Sequence, residues 1–395
     1  MHIHVGMKKG DVVGSTNREL QIAVDALRAN GGGVLEIGPG VYEMMDSLHL
    51  CSGIHVKGAG KRTVLRKCDG PSSPLVIDAD YGQLKLTPKS VKGFMVGMGV
   101  SVGDDKNGGW HTTVSRIVAI EKRHIYIADH LVSDYCTEHN QWIRNAVSVV
   151  SGINVEDVAI EGLTVDGNRR NNEVINGCRG GAIYLHKSKR CRIADCAVRN
   201  WNGDGISFQI TQDITVEDCA IEGVTGLGLH PGTGSVRPVI RRCRMERNGH
   251  DGFFLCWRMQ EGLIEDCVMR DNARYGISIG HKDTDNIFRN NTITGNGHAG
   301  VYFRDEKKSN AGSRNMFEGN LIEGNGTKKV SPAVEILGET SDLVFVDNTI
   351  RPGKAPSKNK GQRVAFFIGP KAEKPMLRGN TVAKHRDGTV EMAGR

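Results

Sequence analysis

The chain has 395 residues, 51 of them glycine, with 52 basic against 45 acidic side chains and a net charge of +7. No run of about 18 apolar residues is present, which excludes a membrane-spanning helix; mixed charge with apolar residues throughout excludes global disorder, and the glycines lack the every-third spacing of collagen. The excess positive charge is diffuse and reads as a solvated surface leaning weakly toward acidic ligands, and no basic run interleaves with aromatics as nucleic-acid binding requires.

The start, MHIHVGMKKGDVVGSTNREL, is too polar for a secretory signal. Thr16 and Glu19 have capping-box spacing, Leu20, Ala23, Val24 and Leu27 form an apolar stripe, and Gly31 to Gly33 end it. A short amphipathic helix over 15–30 is therefore expected, closing one end of the strands that come after it. VLEIGPGVYEM and IHVKGAGKRTVLRK read as the first of those strands. Residues 91–135 break the later pattern and read as a small antiparallel β insertion, with turns at Asp104–Gly109 and Glu121–His124. Residues 168–180 and 305–314 are loops long enough to project.

From 150 to 385 the chain repeats. Cys196, Cys219, Cys243 and Cys267 are spaced by 23, 24 and 24 residues, and the column continues as Asn291, Asn320, Asn348 and Asn380. A second column, Ala182, Gly205, Gly228, Gly252, Gly276 and Gly300, has the same period. A period of this length means stacked units. Here each unit holds short β-branched runs of period two with Gly, Asn and Asp corners. The solution is a parallel β-helix with coils about 4.8 Å apart, equivalent residues lying above one another. The cysteines then form an inward stack and the asparagines an inward amide ladder. No CxxC pair or zinc spacing occurs among the ten cysteines, and buried thiols at this density favour a reducing compartment.

These residues resemble the right-handed parallel β-helix superfamily of pectate lyases, polygalacturonases and mannuronan C5-epimerases. The Asn17, Leu20, Ala23, Val24 and Gly31-to-Met44 segment resembles the capped opening of pectate-lyase-like proteins, and NGHDGFF, YGISIG and NNTITGNGHAGVYF resemble the repeats of alginate epimerase modules. The resemblance implies an all-β fold: one right-handed parallel β-helix domain over 1–395, with the N-terminal helix and the β insertion. It does not carry an activity across. Asn202-Gly203-Asp204 only echoes the polygalacturonase Asn-Thr-Asp, Asp251 stands without a second aspartate, and His230-Pro231-Gly232 has glycine where the epimerases have the histidine of Asp-Pro-His.

Alternation along the glycine-anchored strand points Ile206, Leu229, Phe253, Ile277 and Val301 inward. It points Asp204, His230, Asp251, Tyr275, Tyr302 and Glu335 outward on one face. His186, Gln209, Trp257, Arg258, His281, Lys282, Asp283 and Arg304 lie on or beside it. Asp204 and Asp251 share a column two coils apart, about 9.6 Å, near the ~6.5–9.5 Å of an inverting carboxyl pair. The leading expectation is a glycoside hydrolase with Asp204 and Asp251 as acid and base and His230 assisting, the other residues binding a poly- or oligosaccharide. The alternative is a uronate lyase or C5-epimerase, with Arg258, Lys282 or Arg304 neutralising the carboxylate and His230, His281 or Tyr275 as base. A third reading is a non-enzymatic adhesin or tailspike-like glycan-binding module. No cofactor is expected; Asp283 and Asp285 leave calcium open. The partner is a carbohydrate, acidic on the second reading, with no nucleic acid and no membrane. The chain is expected as monomer or homotrimer, cytoplasmic if Met1 is the natural start, secreted or periplasmic if a signal has been removed.

Overall fold

The computed structural model describes residues 1–354 and 360–393. Residues 355–359, within the predicted coil run, lie outside the described residues. The chain is described as two compact units: Met1–Leu185 with Val198–Ser207, and His186–Ala197 with Phe208–Arg395. Both are built from coils of a right-handed parallel β-helix. The described residues contain one α-helix, and it is not long and apolar enough to cross a membrane.

In the first unit the helix Asn17–Ala29 carries the expected capping box and buries Leu20, Ala23, Val24 and Leu27. It packs beside parallel strands Gly33–Ile37 and Ile54–Lys57, which Ala159–Glu161 extends. A second stack joins Gly40–Met44, Thr63–Lys67 and Thr164–Asp166. The antiparallel insertion is larger than the predicted 91–135. Its six strands, in the order Ser72–Pro74, Trp142–Arg144, Gly99–Gly103, Thr113–Glu121, His124–Ile127 and Lys85–Leu86, enclose a core of their own around Val100, Ile117, Tyr135 and Ile143. Strands of two or three residues, one ending in proline, show no alternation, so its edges could not be read from periodicity.

In the second unit three parallel stacks run in register. One takes Arg192–Ala194 through Thr215–Glu217, Val239–Arg241 and onward to Met376–Arg378. Another runs from Ala220–Glu222 to Thr381–Val382. The third contains Leu229–Gly232, Phe253–Phe254, Ile277–Ile279, Val301–Phe303, Val334–Ile336 and Phe366–Ile368. The predicted column is continuous: the Cys267 amide donates to Asn291 Oδ1 (3.0 Å), and Asn291, Asn320, Asn348 and Asn380 bond amide to amide at 2.9–3.0 Å. All ten cysteines are thiols, eight of them buried.

A second ladder, Asn248–Asn272–Asn296–Asn325, is also buried and bonded at 2.9–3.0 Å. It explains the glycine column. A Cβ on Gly252 would lie 2.6 Å from Asn272 Nδ2, and one on Gly300 2.8 Å from Asn325 Nδ2. The amides fill the space a side chain would need, so glycine is required there by packing.

Candidate active site

The outward column of the second unit is Phe254, Ser278, Tyr302, Glu335 and Phe367, register partners on successive coils. The position two residues ahead of the inward Phe253 and Ile277 supplies Asp251 and Tyr275. The face is more covered than alternation implies: Asp251, Tyr275, Ser278 and His230 are all buried. The segment 305–314 packs against the end of the Ile277–Ile279 strand, where a Cβ on Gly312 would sit 2.7 Å from Ile279 Cγ2.

Tyr275 is the hub. Its ring stacks on Tyr302, centroids 4.2 Å apart, and meets His298 edge-on at 5.1 Å; the Arg274 guanidinium lies 5.5 Å from its centroid. Its amide donates to Asp251 Oδ1 (3.1 Å), and Arg274 Nε lies 4.0 Å from the same oxygen. Burial, with the charge of Glu335, pushes the Tyr275 phenol up to about 12, so it stays protonated. Burial likewise raises Asp251 against the Tyr275 amide and Arg274, and raises Glu335 against Lys329 and Arg363. His298 moves the other way: burial, then Lys329 and Arg274, bring it down to about 4, so it is a neutral base at neutral pH. His298 Nδ1 is buried without a hydrogen-bond partner. The face thus combines a protonated phenol, carboxyls raised by burial, a neutral base and cationic neighbours on adjacent coils.

His298, Arg274 and Lys329 are not among the residues that alternation along the strand singles out. Their signal is nonetheless in the sequence: His250, Arg274 and His298 occupy equivalent positions 24 residues apart, joined by backbone bonds (Arg274 N–H to His250 O, 3.2 Å; His298 N–H to Arg274 O, 2.7 Å).

The other expected site residues make further contacts. Arg304 donates to Ser278 Oγ (3.0 Å), Leu255 O (2.8 Å) and Asp283 Oδ2 (3.0 Å) and covers the Phe254 ring at 4.5 Å. Asp283 is fully buried and also accepts from the Met259 and Gly280 amides; burial pushes it up to about 6. Asp285 pairs with Arg314 at 2.7 and 2.8 Å. The two carboxylates expected to leave calcium open are therefore each engaged by a different arginine. Gln209 is buried and donates to His230 O (3.2 Å), and His230 packs edge-on against Phe254 at 5.5 Å. His186 is buried.

A separate exposed cluster lies at the coil corner. Trp257, 51% exposed, stacks on His281 at 5.0 Å, with Arg258 5.8 Å from its ring. His281 bonds Glu306 at 2.8 Å, yet burial and Arg304 outweigh that carboxylate and hold its pKa below the usual value. Trp257, Arg258, His281 and Lys282 all have left-handed backbones, which aims their side chains off the corner. Asp204 belongs to the first unit. It is buried, and its carbonyl accepts the Ala182 amide (3.0 Å). The expected loop 168–180 covers that strand, with Ser207 Oγ donating to Gly177 O and Tyr184 Oη to Cys178 O, both at 2.6 Å.

Comparison with known proteins agrees with this fold. Residues 151–310 match the model of the right-handed β-helix region family, and residues 233–388 match that of the periplasmic copper-binding protein NosD. Among the described residues, no three His, Cys, Asp or Glu donor atoms converge within 233–388. Mannuronan C5-epimerase AlgE2 of Azotobacter vinelandii is 24% identical over 301 residues, 74% of this chain and 21% of that protein; AlgE5 of the same organism is 26% identical over 51% of this chain and 18% of its own length. The chain thus spans about a fifth of the length of these curated relatives. Among solved structures, the A-module of the Azotobacter vinelandii mannuronan C-5 epimerase AlgE4 superposes with a TM-score of 0.61 at 16% identity, covering 99% of this chain and 98% of that one. A structure described as a glycoside hydrolase gives a TM-score of 0.58 at 11% identity, covering 96% of each chain. By its coils, its ladders and these matches, the chain has the right-handed parallel β-helix fold, and its residues 151–310 carry the likeness to the right-handed β-helix region family.

Proposed function

We propose that the chain is a carbohydrate-active enzyme that works at C5 of a uronate residue in an acidic glycan, by epimerisation or elimination. The observation that carries this reading is the Tyr275 hub: a phenol held protonated, a neutral His298 against its ring and cationic Arg274 beside it. Arg274 and Lys329 neutralise the sugar carboxylate, which acidifies the C5 proton. His298 takes that proton, and the electron pair passes into the carboxylate as an enolate. A proton from Tyr275 then returns to C5 on the opposite face, giving the epimer, or the C4–O bond breaks with protonation of the leaving oxygen, giving an unsaturated uronide. The sequence relatives are mannuronan C5-epimerases, which supports an acidic glycan of that kind.

Glycoside hydrolysis is less well supported. Asp251 and Glu335 lie three coils apart by register, Phe253 to Ile277 to Val301 to Val334, about 14 Å between backbones at ~4.8 Å per coil. A retaining pair (~5–5.5 Å) or an inverting pair (~6.5–9.5 Å) would need both side chains to lean together across the intervening coils. Asp251 is also buried and hydrogen-bonded to the next coil. The deciding experiment incubates the protein with polymannuronate and other polyuronates, following C5 configuration by NMR and unsaturated ends by near-ultraviolet absorbance. Products of either kind support the reading. New reducing ends alone indicate hydrolysis, and glycan-array binding without any product indicates a binding module.

A further inference from the structure

A different group of side chains, in the β insertion of the first unit, brings a thiol, a carboxylate and an imidazole together. The turn Thr137–His139 is a single 3₁₀ turn, closed by Asn140 in the left-handed conformation. Its backbone is anchored from three sides. Asp78 accepts from the Thr137 amide (2.7 Å) and hydroxyl (2.8 Å), Asp104 accepts from the Cys136 amide (3.4 Å), and the Asp105 amide donates to His139 O (2.9 Å) while its carboxylate holds Asn140 Nδ2 (2.8 Å). With the backbone fixed in this way, the side chains of Cys136, Glu138 and His139 converge. One sulfur, one carboxylate oxygen and one imidazole nitrogen all lie within 4.8 Å of one another, and His139 Nε2 is 3.5 Å from Glu138 Oε1. His139 Nδ1 is buried and has no hydrogen-bond partner.

We propose that Cys136, Glu138 and His139 form a binding site for a zinc-class divalent cation. Thiolate, imidazole and carboxylate together are the donor set of zinc and its neighbours; calcium and magnesium take oxygen ligands only. In a tetrahedral site with bonds of about 2.0–2.3 Å, ligand atoms stand roughly 3.3–3.8 Å apart. The 3.5 Å between His139 and Glu138 already meets that spacing. Cys136 loses its proton on binding, so thiolate and Glu138 carboxylate together neutralise the dication. Three protein donors leave the fourth position to water. Asp78, Asp104 and Asp105 act as the outer layer that holds the turn in its liganding shape. The site lies outside the segment matching the copper-protein family, and it is independent of the uronate reading.

The test titrates the reduced full-length protein with Co²⁺ as a spectroscopic probe, with Zn²⁺ as competitor. The expected result is one saturable site with tetrahedral visible bands and a near-ultraviolet thiolate-to-cobalt band. Cys136→Ser abolishes the thiolate band, and His139→Ala and Asp78→Asn each weaken affinity roughly 10-fold or more. Absence of saturable binding, or a thiolate band that persists in Cys136→Ser, overturns the proposal. A second readout needs no variant: Zn²⁺ protects Cys136 from alkylation in the wild-type protein, read by peptide mass spectrometry, and equal alkylation with and without Zn²⁺ also overturns it.

Discussion

Tyr275 and Tyr302 lie face to face on neighbouring coils, ring centroids 4.2 Å apart and 11° from parallel. Burial and the charge of Glu335 raise both phenols. Stacking fixes the plane of Tyr275, and His298 meets its edge at 5.1 Å. The pair thus orients one proton donor rather than offering two equivalent ones. Tyr275→Phe keeps the stack and removes the donor. It is expected to lower turnover on a uronate polymer by about 10²–10⁴-fold with little change in KM, whereas Tyr302→Phe has a smaller effect. Steady-state kinetics on both variants check this.

The acid limb of the rate profile reports His298. An ordinary histidine would protonate near 6.5, but burial and the charges of Lys329 and Arg274 bring this one down to about 4. The base form is therefore retained as pH falls from 7 to 5, and turnover on a soluble polyuronate is expected to fall only on approach to pH 4. A midpoint near 6.5 in a pH–kcat profile would assign the base elsewhere.

Glu335 illustrates activity set against stability. Its folded pKa is raised above the unfolded value by burial. The folded state therefore holds the proton more tightly; this stabilisation is complete below the unfolded pKa and is lost as pH rises through the folded one. Glu335→Gln is expected to match the wild-type Tm near pH 4, exceed it at pH 7 and reduce activity. Thermal melts at the two pH values check the sign.

The amide ladder makes a sharper stability statement than the thiol stack. Asn272 donates to Met245 O (2.9 Å) and to Asn296 Oδ1 (3.0 Å), and its own Oδ1 accepts from Asn248 Nδ2 (3.0 Å) and N (3.1 Å). Asn272→Ala orphans several buried groups at about 1–3 kcal/mol each. Cys243→Ala removes one small apolar group and should cost about 1–2 kcal/mol. Gly252→Ala, driven into Asn272 and the Gly276 carbonyl, should cost ~1–3 kcal/mol. Gly108→Ala, with nothing within 4 Å of the added Cβ, should be neutral. Urea unfolding of the four variants orders them.

What was legible in the sequence was the column that can be followed coil by coil from the cysteines. The Cys219–Cys243–Cys267 series continuing into Asn291 is a fixed-period column, and the structure keeps it in register. The Asn248–Asn272–Asn296 ladder has the same period but follows arginine, aspartate and glycine in turn, so the glycine column it packs against was seen and the amides behind it were not. Alternation gave the direction of Tyr275, Tyr302 and Glu335 correctly. A two-residue period carries no information about Arg304 and Asp283, whose contact depends on a long guanidinium side chain folding back across two coils. His298 was missed because alternation was followed from the glycine outward, while the base sits two residues ahead of it.

Chemistry at C5 with His298 as base is tested most directly by isotope exchange. Polymannuronate is incubated with the protein in D₂O, and the recovered sugar is examined by NMR and mass spectrometry. The predicted result is deuterium at C5 of epimerised residues, or unsaturated uronide ends, with both lost in His298→Ala. Chain cleavage in which every C5 keeps its original hydrogen would contradict it.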